Sequence, residues 1–472
     1  MEVIKPANAI RKCVGSQEWK GEHPLRFLHY LIPVPVEEGT LLYNVMTKEL
    51  LLLTGDEYTC LTDNRLLQVG CLKTAGKKIY QYLYENWFLV PMTHDDKKLA
   101  LEVRDLAALM SPQEGLSFYM IMTTTDCNAR CFYCYEQGCK KESMSPQIAS
   151  DTGRFIRNSR SENEIELHWY GGEPLYNPEA IDAITDDLAE HSVPFFSSMT
   201  SNAYFFDKKT VEKAVTKWNL KKIQITLDGT ESEYNRRKAY INCTESAFVR
   251  VLDNMEMLLD AGVKVTVRLN MDSENVDDLI ALCDDLAERF RGYQNLGLSA
   301  AYLSGCKDRM PLRGEPEQVY SDLVRLKNHI KSLRFKKTEK KYVDLERIKI
   351  YHCMADNDGG VIISPTGDLK NCQHYIQAGS CGSIYSGITD REVVNCWKVI
   401  FEPDQACGTC PLFPNCIRLK ECFEDRRCLN YQYEEDISAL KASIKNCYRR
   451  YREMKTQMGC GFLEDAMLEQ NS

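Results

Sequence analysis

The chain lacks any apolar run near the roughly 18 residues needed to cross a bilayer. Its first residues, MEVIKPANAIRKC, hold none of the apolar stretch of a secretion signal. A basic surplus is missing too. Lys and Arg number 59 against 68 Asp and Glu, a net charge of −9, so no overall field favours nucleic acid. The basic run RFKKTEKK at 334–341 sits in a charged helical pattern and reads as a solvated face. Neither a membrane nor a nucleic-acid partner is expected, and the expected location is cytoplasmic. Against that background one residue is abundant: 21 cysteines in 472 positions. A reducing compartment keeps thiols free, so cysteines in such number point to metal or redox chemistry rather than to staples. The remaining composition, 44 % hydrophobic and 27 % charged, is that of an ordinary globular protein. The length admits roughly two to four domains.

Three regions separate by pattern. Residues 1–112 open with two strand-like runs, FLHYLIPVPV and GTLLYNVMTKELLLLTG, joined by turn residues at 37–39, which predicts an antiparallel pair. Helical periodicity follows at 75–86, then a short WFLVP run, then a charged helix at 95–110 and the linker SPQEG. Across 113–330, strand-like runs alternate with amphipathic stretches. The runs are LSFYMIMTT, EIELHWYGG, FFSSMTSN, KKIQITLDG, VKVTVRLNM and LGLSAAYL, and helices are expected at 146–159, 178–190, 246–260 and 275–290. This alternation predicts an α/β fold with a parallel sheet of six βα units, a partial TIM-like barrel rather than the closed eight. A helical bridge is expected at 316–350. Bridge and extension together make a region at 331–445, within which 353–430 is loop-rich and cysteine-dense, with few periodic apolar runs to build a core, a lack that metal sites usually remedy. Residues 446–472 read as a tail.

The stretch TDCNARCFYCYE places Cys127, Cys131 and Cys134 in the loop after the first of the six strands, at the end where chemistry gathers in such sheets. Structural zinc wants four ligands, usually as two separated pairs. Here the spacing is C-x3-C-x2-C. A cubane [4Fe–4S] cluster normally takes four thiolates, so three leave one iron open. A zinc knuckle or free thiols remain the alternative.

This loop resembles the cluster loop of the radical S-adenosylmethionine (radical SAM) family, which carries an aromatic before its last cysteine, here Tyr133. The resemblance implies that SAM chelates the open iron and that its reductive cleavage releases methionine and a 5′-deoxyadenosyl radical. It also implies a reductant such as flavodoxin or ferredoxin. The GGEP motif at Gly171, Gly172, Glu173 and Pro174 ends the second strand, where glycines permit close approach and Glu173 offers an anion to the SAM ammonium. Ser201 and Asn202 at the third strand's end resemble the family's ribose and carboxylate contacts. Asp228 ends the fourth strand, and Arg268 and Asn270 lie on the fifth. Taken alone, Asp228 could cap a turn and Arg268 could form a surface ion pair.

The C-terminal cysteines resemble the SPASM extension of radical SAM enzymes that modify peptides. Cys353 and Cys372 flank Gly367, and Cys407, Cys410 and Cys416 keep the C-x2-C-x5-C spacing. The pattern departs after Cys416, with five residues before Cys422 where the family has three. By carry-over, Cys353, Cys372 and Cys422 would hold a first auxiliary [4Fe–4S] cluster, and Cys407, Cys410, Cys416 and Cys428 a second. The departure leaves the parts of Cys422, Cys428 and Cys447 open. A zinc module also suits C-x2-C-x5-C. Most isolated cysteines are expected to be small buried hydrophobes.

The first 112 residues resemble the winged-helix-like peptide-recognition domain of natural-product maturases, which adds a precursor's leader as an edge strand. Together the regions resemble a radical SAM/SPASM peptide maturase. That implies a ribosomally made precursor as partner and a thioether as product. Formylglycine formation on a sulfatase, carbon–carbon crosslinking, and a non-catalytic iron–sulfur carrier or peptide scaffold are the alternatives. No catalytic base is identified from the sequence.

Overall fold

The computed structural model describes residues 1–18, 24–62, 74–110, 115–241, 243, 245–303, 316–333, 335, 343–351, 353–373, 379–396, 405–417 and 430–458. The N-terminal part is built from β1 (Glu2–Lys5), α1 (Ala9–Val14), β2 (Leu25–Phe27), β3 (Leu31–Val36), β4 (Gly39–Asn44), β5 (Leu50–Leu53), α2 (Gly55–Thr62), α3 (Thr74–Glu85), β6 (Leu89–Pro91) and α4 (Asp96–Leu109). Four strands form an antiparallel sheet in the order β1-β5-β4-β3. The expected pair is β3 and β4, but the second apolar run divides into two strands. Asn44 makes the break: its side chain accepts from the Met46 and Thr47 amides, and Lys48 takes φ 64°.

The barrel follows as β7 (Phe118–Thr124), α5 (Pro146–Ser159), β8 (Ile165–Gly171), α6 (Pro178–Glu190), β9 (Phe195–Ser201), α7 (Lys208–Thr216), β10 (Leu220–Leu227), α8 (Glu231–Lys238), α9 (Ala247–Asp260), β11 (Lys264–Met271), α10 (Val276–Arg289), β12 (Leu296–Tyr302) and α11 (Pro316–Ser332). All six expected strands form, parallel and in sequence order. Along β8, Ile165, Leu167 and Trp169 are buried in the main core, while Glu166, His168 and Tyr170 occupy the other face, as a period of two requires. The outer helices pack on the first face. α5 starts on Ser145, whose hydroxyl accepts from the Ile148 amide, with Pro146 in the first turn where a missing N–H costs nothing.

The C-terminal part comprises β13 (Gly360–Ile363), β14 (Asp368–Lys370), β15 (Gly382–Ser383), β16 (Gly387–Ile388), α12 (Arg391–Asn395), α13 (Gln405–Thr409) and α14 (Asn430–Met458). Two expectations need correction here. The bridge is helical only to Ser332. Among 343–351, Ile348 and Ile350 are buried at a spacing of two, which suits extended chain rather than helix. The cysteine-dense segment is also not without core. β13 is buried throughout and joins the barrel sheet parallel to β7, so the ten-stranded sheet runs β12-β11-β10-β9-β8-β7-β13-β14-β15-β16. α14 continues unbroken across residue 446.

The hydrophobic residues form two large cores. One lies between the barrel sheet and its helices. The other joins the N-terminal part to the C-terminal one: Leu41, Tyr43, Leu83 and Val103 pack in a single cluster with Ile350, Phe413, Leu440 and Ile444. The expectation that most isolated cysteines are buried needs correction: Cys283 and Cys381 are buried, but Cys139 and Cys243 are half-buried and Cys13 and Cys396 exposed; the ligand candidate Cys447 is half-buried. Cys71, Cys306 and Cys460 lie outside the described residues, as do Cys422 and Cys428.

Candidate metal and cofactor site

The loop bearing Cys127, Cys131 and Cys134 is fixed from two sides. On one side stands GGEP. The Gly172 amide donates to the Thr124 carbonyl at 3.0 Å, and the Glu173 amide to the Asp126 carbonyl at 2.9 Å. Gly171 sits at φ 126°, and a Cβ there would lie 2.1 Å from the Thr124 oxygen; one on Gly172 would lie 2.2 Å from the Asp126 oxygen. Both glycines therefore admit the cysteine loop's backbone.

Glu173 is fully buried, and both its oxygens are engaged. One accepts from the Ser201 hydroxyl at 2.8 Å and the Leu175 amide at 3.2 Å, the other from the Asn202 amide at 2.8 Å. Burial pushes its carboxyl up to about 7 against these donors. Ser201 is thus turned toward Glu173. The Asn202 amide group reaches the other way, donating to Asn128 at 2.6 Å and lying 3.8 Å from the Cys127 sulfur.

On the other side stands α8, which the sequence reading did not find. Its last residue, Lys238, is 5 % exposed and places Nζ 3.1 Å from Asp228 Oδ2 and 2.8 Å from the Tyr133 hydroxyl, which also donates to Asp228. Burial works against the Lys238 charge, but Asp228 and Tyr133 outweigh it and hold the ammonium well above its ordinary value. The Lys238 carbonyl accepts from the Arg130 amide at 2.8 Å, and the Asn128 carbonyl accepts from the Ile241 amide at 2.8 Å. Arg237 pairs twice with buried Asp272 and lies over the Phe132 ring at 5.5 Å. Asp228 is therefore a buried ion-pair partner, and Tyr133 is its neighbour in a polar network.

The three thiols are reduced, half-buried and close enough to raise one another's proton affinity. Burial pushes Cys127 up to about 12 and Cys134 up to about 11, so metal binding would have to displace these protons. Among the described residues no three such groups converge on one ion. A cubane takes each thiolate on a different iron and needs no such convergence. Cys127 already accepts an N–H···S contact from Ala129 at 3.4 Å. Three free thiols in a loop held by backbone bonds fit a cluster.

Behind the loop, the barrel interior holds Phe118, Met120, Met122, Tyr170, Met354 and Ile362 as an apolar group. Beside it, His168 bonds Ser198 at 2.7 Å and Thr200 at 3.1 Å, and burial pushes it down to about 4, so it is neutral. Arg268 donates to Asn270 at 2.9 Å. Gly360 pairs with Phe118 and Ile362 with both Met120 and Lys370, so the chain on either side of the β13–β14 hairpin, with Cys353 and Cys372, lies near the start of β7. The 127–134 loop leaves β7's other end, some seven residues or about 20 Å away.

A parallel half-barrel with a three-cysteine loop over its first strand invites comparison with known proteins. Residues 121–286 match the profile of the Radical SAM superfamily. The barrel is a radical SAM domain. The match covers about a third of the chain and marks the barrel as a domain of the kind found in enzymes of radical chemistry, a family that implies a [4Fe–4S] cluster and SAM. Among curated proteins, GTP 3′,8-cyclase of Campylobacter curvus is 25 % identical over 218 residues, 46 % of this chain and 64 % of that protein. The chain thus spans a little under two thirds of that relative. GTP 3′,8-cyclase of Clostridium perfringens strain SM101 is 21 % identical over 341 residues, 68 % of this chain and 97 % of that protein. Among solved structures, anSMEcpe with bound AdoMet and Kp18Cys peptide superposes with a TM-score of 0.54 at 13 % identity, covering 71 % of this chain and 99 % of that one. Streptococcus suis SuiB bound to S-adenosylmethionine gives 0.50 at 14 % identity, covering 83 % and 94 %. At these identities the likeness speaks for the fold. No helix among the described residues is long and apolar enough to cross a membrane.

Proposed function

We propose that this radical SAM enzyme matures a ribosomally made peptide by forming a thioether between a cysteine sulfur and a carbon. The observation that carries the reading is the placement of cysteines at both ends of one barrel. Cys127, Cys131 and Cys134 would hold the SAM-binding cluster at the strands' C-terminal ends. Cys353 and Cys372, with Cys422 from outside the described residues, would hold a first auxiliary cluster near their start. Cys407, Cys410 and Cys416, with Cys428, would hold the second. Bound SAM supplies a 5′-deoxyadenosyl radical. The apolar group around Met120 and Tyr170 lies on the sheet's inner face between the ends, where a peptide carbon would lose a hydrogen atom away from water. SAM contacts are assigned to Asn202 beside the Cys127 sulfur, to the GGEP backbone and to Arg268. Glu173 and Ser201 hold these parts in place.

One hydrogen atom leaves carbon for 5′-deoxyadenosine, the substrate thiol loses a proton, the carbon–sulfur bond forms, and one electron passes to an auxiliary cluster. Cys353, Cys372 and Cys422 would supply three thiolates to the first auxiliary site, and the substrate cysteine would supply the fourth. Its proton is the one that metal coordination would remove.

Structures in complex with a peptide exist for a protein of the same fold, which supports a peptide substrate. The N-terminal sheet is assigned to leader recognition, with a constraint. The Val45 amide donates to the Tyr30 carbonyl, which fixes the β3–β4 ladder so that Pro33 and Pro35 turn their backbone nitrogens outward. Proline has no N–H to give, so the β3 edge is closed to regular strand addition. β1 is the edge left for it.

The test is mass spectrometry of a short cysteine-bearing precursor treated with anaerobically reconstituted enzyme. The product should lose two hydrogens per crosslink and its cysteine should resist alkylation. A crosslink without sulfur, or oxidation confined to one residue, would overturn the thioether. The cyclase relatives suggest a nucleotide substrate as the second reading, and a GTP-derived product under the same conditions would favour it.

A further inference from the structure

A buried guanidinium on the N-terminal part points at the second cysteine group. Arg104 lies in the middle of α4 and is 2 % exposed. One of its nitrogens, Nη1, donates to the carbonyls of Phe413, Pro414 and Cys416 at 3.3, 3.2 and 2.8 Å. Those residues close the compact turns that begin at Cys407. Cys410 bonds back to the Cys407 carbonyl, Phe413 to Cys410, and Cys416 to Phe413. The same turns are held by Tyr30, which donates to the Gly408 carbonyl at 3.0 Å and stacks on Phe413 at 6.1 Å. The remaining donors of Arg104, Nε and Nη2, are buried and meet no acceptor among the described residues.

A buried cation with two unused donors is a costly arrangement unless an anion completes it. The groups whose charge would favour this guanidinium are Cys416, Asp105 and Asp356. Of these, the Cys416 sulfur belongs to a loop with two more thiols, Cys407 and Cys410, and carbonyl capping alone would use only one edge of the planar fork.

We infer that Arg104 is the counter-charge of an anionic iron–sulfur cluster held by Cys407, Cys410 and Cys416, with Nε–H and Nη2–H donating to that cluster's sulfurs. This rests on the auxiliary-cluster reading above. It makes the N-terminal part, through α4, an element of the cluster site. Arg104 is a positioning residue and touches no substrate.

The test compares wild type, Arg104→Met and Arg104→Lys as full chains, each metal-free under anaerobic chelation and each reconstituted with iron and sulfide. Iron per chain, the midpoint potentials of the clusters and the thermal midpoint are read in both states. Arg104→Met should bind about a third less iron, should gain less thermal stability on reconstitution than wild type, and should be no less stable than wild type when metal-free. Arg104→Lys, which keeps the charge, should regain most of the iron. A purely structural cap predicts the opposite pattern: equal thermal loss with and without iron, and no rescue by lysine. That result would overturn the inference. Cys407→Ala/Cys410→Ala serves as the control. If this variant keeps the wild-type iron, the cluster reading itself fails. If it loses iron while Arg104→Met does not, only the role of Arg104 fails.

Discussion

Lys238 and Asp228 offer a quantitative check on how the three-cysteine loop is held. The pair is 3.1 Å apart, with side chains 5 % and 0 % exposed, and Tyr133 bridges both. At an effective dielectric near 20 the gross attraction is about 5 kcal/mol, most of it offset by desolvation. Removing one partner forfeits the attraction and leaves the other ion buried, at about 3–5 kcal/mol. Lys238→Met and Asp228→Asn should each destabilise the metal-free chain by that order. The double variant should cost far less than their sum, with a coupling of roughly 2 kcal/mol or more. Urea unfolding of the four proteins measures the cycle. Because Lys238 abuts the loop carrying Cys131, the single variants should also lower 5′-deoxyadenosine formation by roughly 10- to 100-fold, the scale expected of a misplacement near 1 Å. Strict additivity, or Lys238→Met with wild-type iron and wild-type SAM cleavage, would refute the view that α8 positions the loop.

Gly172→Ala should cost roughly 1–3 kcal/mol from overpacking and displace the cluster loop, since the clash is with backbone at 2.2 Å and no side chain can yield; iron content read beside unfolding midpoints checks this. Lys48→Met should stabilise the protein by roughly 1–3 kcal/mol at neutral pH, because Lys48 Nζ is buried without a hydrogen-bond partner among the described residues. Burial lowers its amine from 10.5 to about 7, so wild type gains stability as pH rises from 7 toward 10.5 and the gap to the variant narrows; a gap independent of pH would contradict the assignment. Deleting residues 1–112 should leave the radical SAM domain its own core but strip the cover from Phe413, Ile350 and Leu440, at roughly 1.5–3 kcal/mol for each large side chain exposed; auxiliary iron should fall while first-cluster iron survives.

The barrel was legible because its strands carry the signal that sheets impose. KKIQITLDG and VKVTVRLNM alternate β-branched residues with polar ones, and the helices between them repeat at 3.6, so both periods could be read without the partners. α8 escaped for a physical reason. Its sequence, ESEYNRRK, looks solvated, yet Tyr234, Arg237 and Lys238 are buried; Tyr240 satisfies the first, and Asp272, Asp228 and Tyr133 from distant parts of the chain satisfy the two cations. A buried polar face has no apolar stripe to betray it. β13 escaped because four residues are too few to show a period. The three-cysteine loop and GGEP were found by spacing, but the part played by the glycines was not, since their neighbour is the loop's own backbone. For Arg104 a signal did exist. In DKKLALEVRDLAAL the apolar stripe runs through Leu99, Ala100, Val103 and Ala107, and Arg104 falls inside it. A charge within a core stripe asks for a buried counter-charge.

The two described cysteine loops meet this requirement differently, and the difference bears on the order of assembly. At the 127–134 loop the buried cation is Lys238, and Asp228 already balances it before any metal arrives. That ion pair is balanced when the loop is empty, and the backbone bonds from Gly172, Glu173, Arg130 and Ile241 hold the loop's shape, although Asn128 Nδ2 and one Asp228 oxygen find no partner among the described residues. At the 407–416 loop Arg104 has carbonyls on one edge and unused donors on the other. An anion bound there repays a strain that the empty fold carries, so metal binding and the docking of α4 on Cys416 reinforce each other. Loading the first site should then change stability little, and loading the second should tighten the seam between the N-terminal and C-terminal parts. Hydrogen exchange across α4 and α14, followed as iron is added, reads that seam directly. Protection that rises in a chain lacking Cys127, Cys131 and Cys134, and stays flat in one lacking Cys407 and Cys410, is the expected result; the reverse pattern would place the coupling at the barrel mouth instead.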